Sequence, residues 1–248
     1  MLRKDLNDYL NQLLNPTQFK DYCPNGLQVQ GKTDINTIAT AVTASLNVIE
    51  QAIAIKADAL IVHHGYFWKG EDACITGMKH KRIKALLAHD INLFAYHLPL
   101  DAHPALGNNV RLAKQLDLTL NELTGEQNIL AVGELTKPQS LEQFGGHVAK
   151  KLKREPHFIS GHSRDIKTIS WCTGAAQDSI EQAAALGVDA YLSGEVSERT
   201  YHQAKELGIH YIAAGHHATE RYGIQALGEH LANEFNFQNQ FLDEPNLI

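Results

Sequence analysis

The chain has 248 residues, 44% of them apolar, which is enough for one large domain or two of ordinary size and makes disorder the wrong expectation. Charged residues make up 20% and the formal net charge is −6, a balance that argues against a chain built mainly to neutralise nucleic-acid phosphates and leaves only local basic patches for that role. No apolar run approaches the roughly 20 residues that span a bilayer, and Asp5 and Asp8 interrupt the stretch where a secretory signal would be apolar, so a cytoplasmic protein without a membrane partner is expected.

Leu2, Leu6, Tyr9, Leu10 and Leu13 recur at helical spacing and predict an opening amphipathic helix. Pro24-Asn25-Gly26 marks a turn. The β-branched stretch Ile38 to Thr43 reads as a strand, Val48 to Ala57 as a helix, and Ala59-Leu60-Ile61-Val62 as a strand buried on both faces. That strand runs directly into His63-His64-Gly65. Ile83, Leu86 and Leu87 predict a further helix, and Ile91 to Tyr96 a second buried strand leading into His97-Leu98-Pro99-Leu100-Asp101. Pro99 argues against His97 and Asp101 as a helical i,i+4 pair and places them on a loop. Val110, Ala113 and Leu116 suggest a helix, Ile129 to Leu135 a strand, and Ser140 with Gln143 a capping box for a helix through Leu152.

The second half then repeats the grammar of the first. Glu50-Gln51-Ala52 and Asp58-Ala59 match Glu181-Gln182-Ala183 and Asp189-Ala190 at a constant offset of 131. A helix from Ser197 to Leu207, stopped by Gly208, leads to the strand His210 to Ala214 and on to Gly215-His216-His217-Ala218-Thr219-Glu220. The expected fold is α/β, with two similar domains from an internal duplication. Residues 1–127 would carry the HHG and HLPLD motifs and 128–248 the GHHATE motif, with a soft boundary because no Gly/Ser-rich linker separates them.

In open α/β sheets ligands gather outside the carboxyl ends of the strands. Three of the strand ends found here carry His63-His64, His97 with Asp101, and His216 with Glu220. Position carries the inference, because with 14 histidines chance alone gives about 0.7 adjacent pairs and the chain has two. Neighbours on an ideal strand point to opposite faces, so His63 and His64 share one ion only if the backbone turns after Val62, and otherwise serve different ions. His216 and Glu220, four apart, fit one face of a helix's first turn. Three imidazoles and two carboxylates exceed one tetrahedral zinc and suit two divalent ions with a bridging carboxylate, a basis for metal-assisted hydrolysis. The mixed nitrogen and oxygen donors do not select among Zn, Mn, Fe and Ni.

Other templates fail. G-x-S-x-G, Walker A and G-x-G-x-x-G sequences are absent, and Cys23, Cys74 and Cys172 lack the spacing of a disulfide framework or thiolate zinc site. The basic clusters Lys79-His80-Lys81-Arg82-Lys84 and Lys150-Lys151-Lys153-Arg154 read as solvated helix faces more readily than as phosphate sites.

VHHGYFWKG (62–70), HLPLDAHPALGNN (97–109), GVDAYLSGE (187–195) and AAGHHATER (213–221) together resemble the NIF-three-like family, also labelled GTP cyclohydrolase 1 type 2 homologs, in its short bacterial form. The resemblance implies two similar α/β domains, a homohexameric toroid and a dinuclear metal site. Carried over by motif, the ligands would be His63, His64, Asp101, His216 and Glu220. His97 would be a neighbouring group or proton carrier, and Glu195 and His202 would line the cavity. The expected function is then a metal-dependent hydrolase acting on a nucleotide or related small molecule. The rival is a ring-shaped nucleic-acid-binding or regulatory scaffold with a structural metal site.

Overall fold

The computed structural model describes residues 1–248. In chain order the elements are α1 (Arg3–Leu14), β1 (Gly26–Val29), β2 (Thr37–Thr43), α2 (Leu46–Ala54), β3 (Ala59–His64), α3 (Gly77–Ala88), β4 (Asn92–Ala95), α4 (Leu98–Ala102), α5 (Asn108–Gln115), β5 (Leu118–Thr124) and β6 (Leu130–Gln139). Then follow α6 (Leu141–Leu152), β7 (His157–Ile159), β8 (Ile166–Cys172), α7 (Ile180–Ala185), β9 (Ala190–Ser193), α8 (Glu198–Leu207), β10 (His210–Ala213), α9 (His216–Phe235) and β11 (Gln238–Phe241).

Contacts divide the chain into two units, Met1–Leu106 with Gly223–Pro245, and Gly107–Tyr222 with Asn246–Ile248. This differs from a single cut at residue 127, for two physical reasons. The apolar face of α5, with Leu112, Ala113 and Leu116, packs into the core under β5, β6 and β8. At the other end, Ile224, Leu227 and Leu231 of α9 bury among Leu6, Leu10 and Leu14 of α1, and β11 extends the first sheet.

In the first unit the strand order is β1-β4-β3-β2-β11. β2, β3, β4 and β11 are parallel and β1 runs antiparallel to β4. The run Ala59 to Val62 is buried on both faces, as its unbroken apolar character predicts: Ala59 and Ile61 pack toward α1, while Leu60 and Val62 join a second cluster with Val48, Ile49 and Ala52 of α2. The second unit has the order β5-β6-β8-β9-β10-β7, with β8, β9 and β10 parallel and the antiparallel β7 at the edge.

Each sheet thus contains a run of three parallel strands, β2-β3-β4 and β8-β9-β10, with a short antiparallel strand beside the third, and β11 adds a fourth parallel strand to the first sheet. Asp58 Oδ2 accepts the backbone N–H groups of Asn36 and Thr37 at 3.0 and 3.0 Å, and Asp189 Oδ2 accepts those of Lys167 and Thr168 at 3.0 and 2.9 Å. All three residues of each set differ by 131, since 189 − 58, 167 − 36 and 168 − 37 agree. One carboxylate tying down the start of the neighbouring strand recurs at the same offset, which is compatible with a duplicated unit.

Local signals hold where they act over one turn. Ser140 and Gln143 form the reciprocal capping box of α6. Gly208, at φ 63°, ends α8 in the left-handed conformation that glycine adopts without a Cβ penalty. The loop expected across His97 to Asp101 is instead the short helix α4, with Asp101 N–H bonded to His97 O at 3.2 Å. Pro99 sits in its first turn, where a helix needs no proline N–H and a fixed φ helps it start.

Candidate metal centre

In the first unit, strand β3 delivers two imidazoles and the turn after β4 delivers a third. His63 is fully buried, and its Nδ1 lies 3.0 Å from the carbonyl oxygen of Tyr96. A carbonyl only accepts, so Nδ1 carries the proton and Nε2 keeps its lone pair. That nitrogen stands 3.5 Å from Oδ1 of Asp101, which α4 holds almost fully buried. His64 lies with its ring centroid 4.5 Å from that of His63 and its Nδ1 3.2 Å from the Thr43 hydroxyl. β3 stays extended through His64, and the next residue has no room for a side chain: a Cβ at Gly65 would fall 2.3 Å from Oε1 of Gln28 and 2.5 Å from Cβ of Ala95.

His97 completes the cluster, its ring 5.1 Å from His63 and 5.7 Å from His64. One potential donor atom from each of the three imidazoles lies within 4.8 Å of the other two. Asp21, on the segment after α1, fixes the orientation of His97. Its Oδ1 accepts from His97 Nδ1 at 2.7 Å, and its Oδ2 accepts from the Leu98 N–H at 3.0 Å and the Asn25 amide at 2.9 Å. Asn25 Oδ1 takes the His97 backbone N–H at 2.7 Å. Burial pushes the Asp21 carboxyl up, but the His97 hydrogen bond and charge, with the Asn25 and Tyr22 donors, outweigh it and hold the pKa below its ordinary value. The His97 proton therefore sits on Nδ1 and its Nε2 is the basic nitrogen. Cys23 offers sulfur beside Asp21 and His97, but burial, with the Asp21 charge, pushes its thiol up to about 12.

In the second unit, the chain leaves β10 through Ala214 and Gly215 and begins α9 at His216, which puts His216 and Glu220 on one helical face as their spacing predicts. Nε2 of His216 is 3.1 Å from Oε2 of the buried Glu220, and Nδ1 is 2.7 Å from Oε1 of Glu195, on the loop after β9. Burial alone would depress the imidazolium, but Glu220 and then Glu195 outweigh it and raise His216 to about 9. An ion bound at Nε2 would take the place of that proton.

Gly174, following β8, makes room for the pair. It has φ +71°, and a Cβ there would meet Oε1 of Glu220 at 2.1 Å and Nε2 of His216 at 3.2 Å. Its N–H donates to Thr219 Oγ1 at 3.1 Å, and the Thr219 hydroxyl donates to His216 O at 2.9 Å, so β8 and the first turn of α9 are tied together at this point.

Glu195 is thus an orienting partner of His216, whereas His202 pairs with Glu198 at 3.3 Å on the exposed side of α8. His217 donates its backbone N–H to Ile248 O at 3.2 Å. No local pattern in the sequence marks Asp21, Asn25 or Gly174 for these roles; the Pro24-Asn25-Gly26 turn is a trace of Asn25 alone. The basic clusters are partly neutralised: Lys79 pairs with Glu71 at 3.2 Å and Lys151 with Asp117 at 2.6 Å, while Arg154 donates to Leu247 O.

The pattern of the Duf34/NIF3 (NGG1p interacting factor 3) family matches residues 1–246. The chain belongs to this family. Among DUF34/NIF3-like relatives, a Vibrio cholerae protein named GTP cyclohydrolase 1 type 2 homolog is 51% identical over 247 residues, covering 98% of each chain. A solved structure described as protein ybgI, of unknown function, superposes with a TM-score of 0.97 at 46% identity over 100% of each chain. TTHA1606 from Thermus thermophilus superposes with a TM-score of 0.92 at 32% identity, again over 100% of each. The NIF-three-like resemblance and the mixed α/β fold expected from the sequence are both upheld.

The donor sets fit divalent cations. Imidazole nitrogens with one ring position fixed by a hydrogen bond, buried carboxylate oxygens, and a glycine whose missing side chain leaves space beside them are what such ions require. No helix of the chain is long and apolar enough to cross a membrane.

Proposed function

We propose that His63, His64, Asp101, His216 and Glu220 together hold two divalent metal ions, and that the protein is a metal-dependent hydrolase acting on a nucleotide or related small molecule. The observation that carries the reading is the imidazole cluster of the first unit, in which the Tyr96 carbonyl aims the lone pair of a fully buried histidine at a buried carboxylate. The name that relatives bear, GTP cyclohydrolase 1 type 2 homolog, supports the reaction class.

Bound ions would acidify a coordinated water and polarise a substrate oxygen. The protein's own contribution is to orient donors and carry protons. Nδ1 of His97, bonded to the Asp21 carboxylate, keeps its proton, so Nε2 is the position at which a proton is taken up and returned. Glu195 does for His216 what the Tyr96 carbonyl does for His63. The chain is further proposed to assemble as a homohexamer in the cytoplasm, which sedimentation of the purified protein checks for size.

Metal analysis of the purified protein, followed by titration of the stripped protein with Zn, Mn, Fe and Ni, tests the site. Close to two equivalents per chain are expected, falling by at least half in Glu220→Ala and His63→Ala. A protein that takes up none of the four ions refutes the site. Loss of turnover in Glu220→Ala with the fold intact, in a screen of nucleotides and heterocycles, separates the hydrolase from a scaffold whose metal is structural.

A further inference from the structure

The loop after β3 and the segment between α1 and β1 each set an aromatic ring beside His97, in a way that metal binding does not require. Trp68 lies with its ring centroid 5.0 Å from the His97 imidazole at an interplanar angle of 83°, and Tyr22 lies 6.5 Å from it at 64°. Tyr22 is 62% exposed and Phe67, next to Trp68 in the chain, 38% exposed, while Trp68 is half-buried. Large rings left in water beside a cluster of functional groups forgo the burial that usually places them.

Their support is rigid. Trp68 Nε1–H donates in the plane of its ring to Gly65 O at 3.2 Å, which anchors the indole by an edge and consumes neither face. The Lys69 N–H donates to Tyr22 O at 2.6 Å and thereby links the two aromatic segments, and the Tyr66 hydroxyl donates to Ala44 O at 2.7 Å. Within this brace Phe67 is held at φ 65°, a left-handed backbone that a bulky residue adopts only when its surroundings enforce it. Strain maintained in an over-determined loop that carries exposed rings is the pattern of a ligand clamp.

We propose that Trp68 and Tyr22 form a stacking subsite for a planar heteroaromatic ring of the substrate, such as a nucleobase, beside His97. The proposal rests on the reading of the imidazole cluster as the reaction site and specifies what is held next to it. Electron-rich indole and phenol faces attract electron-poor flat rings in offset or edge-on contact, and they do so for any base, so the subsite supplies affinity while other groups select.

The chain supplies its own optical control, because its two tryptophans are Trp68 and the fully buried Trp171. The full-length, metal-loaded protein is titrated with guanosine and adenosine, with ribose 5-phosphate as the probe that lacks a ring, while tryptophan emission is followed. Saturable quenching by both nucleosides and none by ribose 5-phosphate is expected. Tyr22→Ala, which keeps the reporter, should weaken the quenching titration roughly five- to a hundredfold, the range that stacking on an aromatic side chain supports. By equilibrium dialysis Trp68→Ala should lose nucleoside binding by a similar factor and Trp68→Phe should recover most of it. Metal content is measured on every variant. Unchanged metal with lost nucleoside binding supports the subsite; unchanged metal with unchanged nucleoside binding, or quenching that is linear and equal for all probes, overturns it. Absence of metal from the wild type refutes the metal site instead and leaves the nucleoside titration as a separate result.

Discussion

The imidazole of His63 is committed before any ion arrives: the Tyr96 carbonyl takes its Nδ1 proton, and the lone pair that remains faces Asp101. Asp21 makes the corresponding commitment for His97, with a carboxylate rather than a carbonyl. Replacing Asp21 by Asn removes the charge and leaves one accepting oxygen; kept by the Leu98 N–H and the Asn25 amide, that oxygen turns the new NH2 toward His97 Nδ1, which can then no longer donate there. Asp21→Asn is expected to retain metal within error but to shift the His97 ring nitrogens away from the single Nδ1–H tautomer, which nitrogen-15 spectra of labelled protein report directly. Unaltered His97 signals would remove Asp21 from this role. Gly174→Ala is expected to be severe for both possible reasons, since the left-handed backbone there disfavours a side chain and the new methyl would overlap Glu220. Metal content should fall at least as far as in Glu220→Ala. A Gly174→Ala protein with full metal content would show that the His216–Glu220 pair shifts without consequence.

At the level of strands and helices, the recurrent carboxylates Asp58 and Asp189 connect short-range chemistry to sheet order. Burial raises Asp58, but the Lys32 hydrogen bond and the Thr37 and Asn36 amides outweigh it, and its folded pKa lies below the ordinary value. Asp189 is lowered likewise, with burial opposed by the Thr168 and Lys167 amides. A carboxyl depressed in the fold binds its proton more readily when unfolded. Its contribution is therefore complete above the unfolded value, about pH 4, and is lost as pH falls through the folded value. Asp58→Asn and Asp189→Asn should lower stability near neutrality and flatten its decline on the acid side, as denaturant titrations at several pH values would show. Equal offsets at every pH would mean the charges are irrelevant. The same scale exposes the misreading of Pro99: a rule that forbids proline inside a helix says nothing against its first turn, and α4 begins there.

The two units are not consecutive halves of the chain, because α9 and β11 bring residues from 223 onward into the first. β11 pairs in parallel with β2, and Leu242 beyond it is buried. Truncation after Phe235 should therefore strip β2 of an ordered neighbour, and hydrogen exchange should quicken at Thr37 to Thr40 while β8 of the second unit stays protected. Equal exchange in both would deny β11 a stabilising part. Leu231→Ala, in the core beside α1, should cost about 2–5 kcal/mol by leaving a cavity.

β11 also marks where reading the residues stops being enough. Its sequence, Gln238 to Phe241, alternates no apolar face that would announce a strand, and it becomes one by pairing with an edge already formed. Apolar periodicity, the Ser140 capping box and the Gly208 stop act over a turn or two, so α1, α2, α3, α6, α8 and the strands β2, β3, β4, β6 and β10, with the delivery of His63-His64 and His216 by strand ends, could be taken from the residues alone, whereas β1, β5, β7 and β8 could not. Asp21 reaches His97 across 76 positions and Gly174 lies against Glu220 across 46, since 220 − 174 = 46. Such meetings depend on which strands are neighbours and in what register, quantities set by burial of the whole core and absent from any short window of sequence.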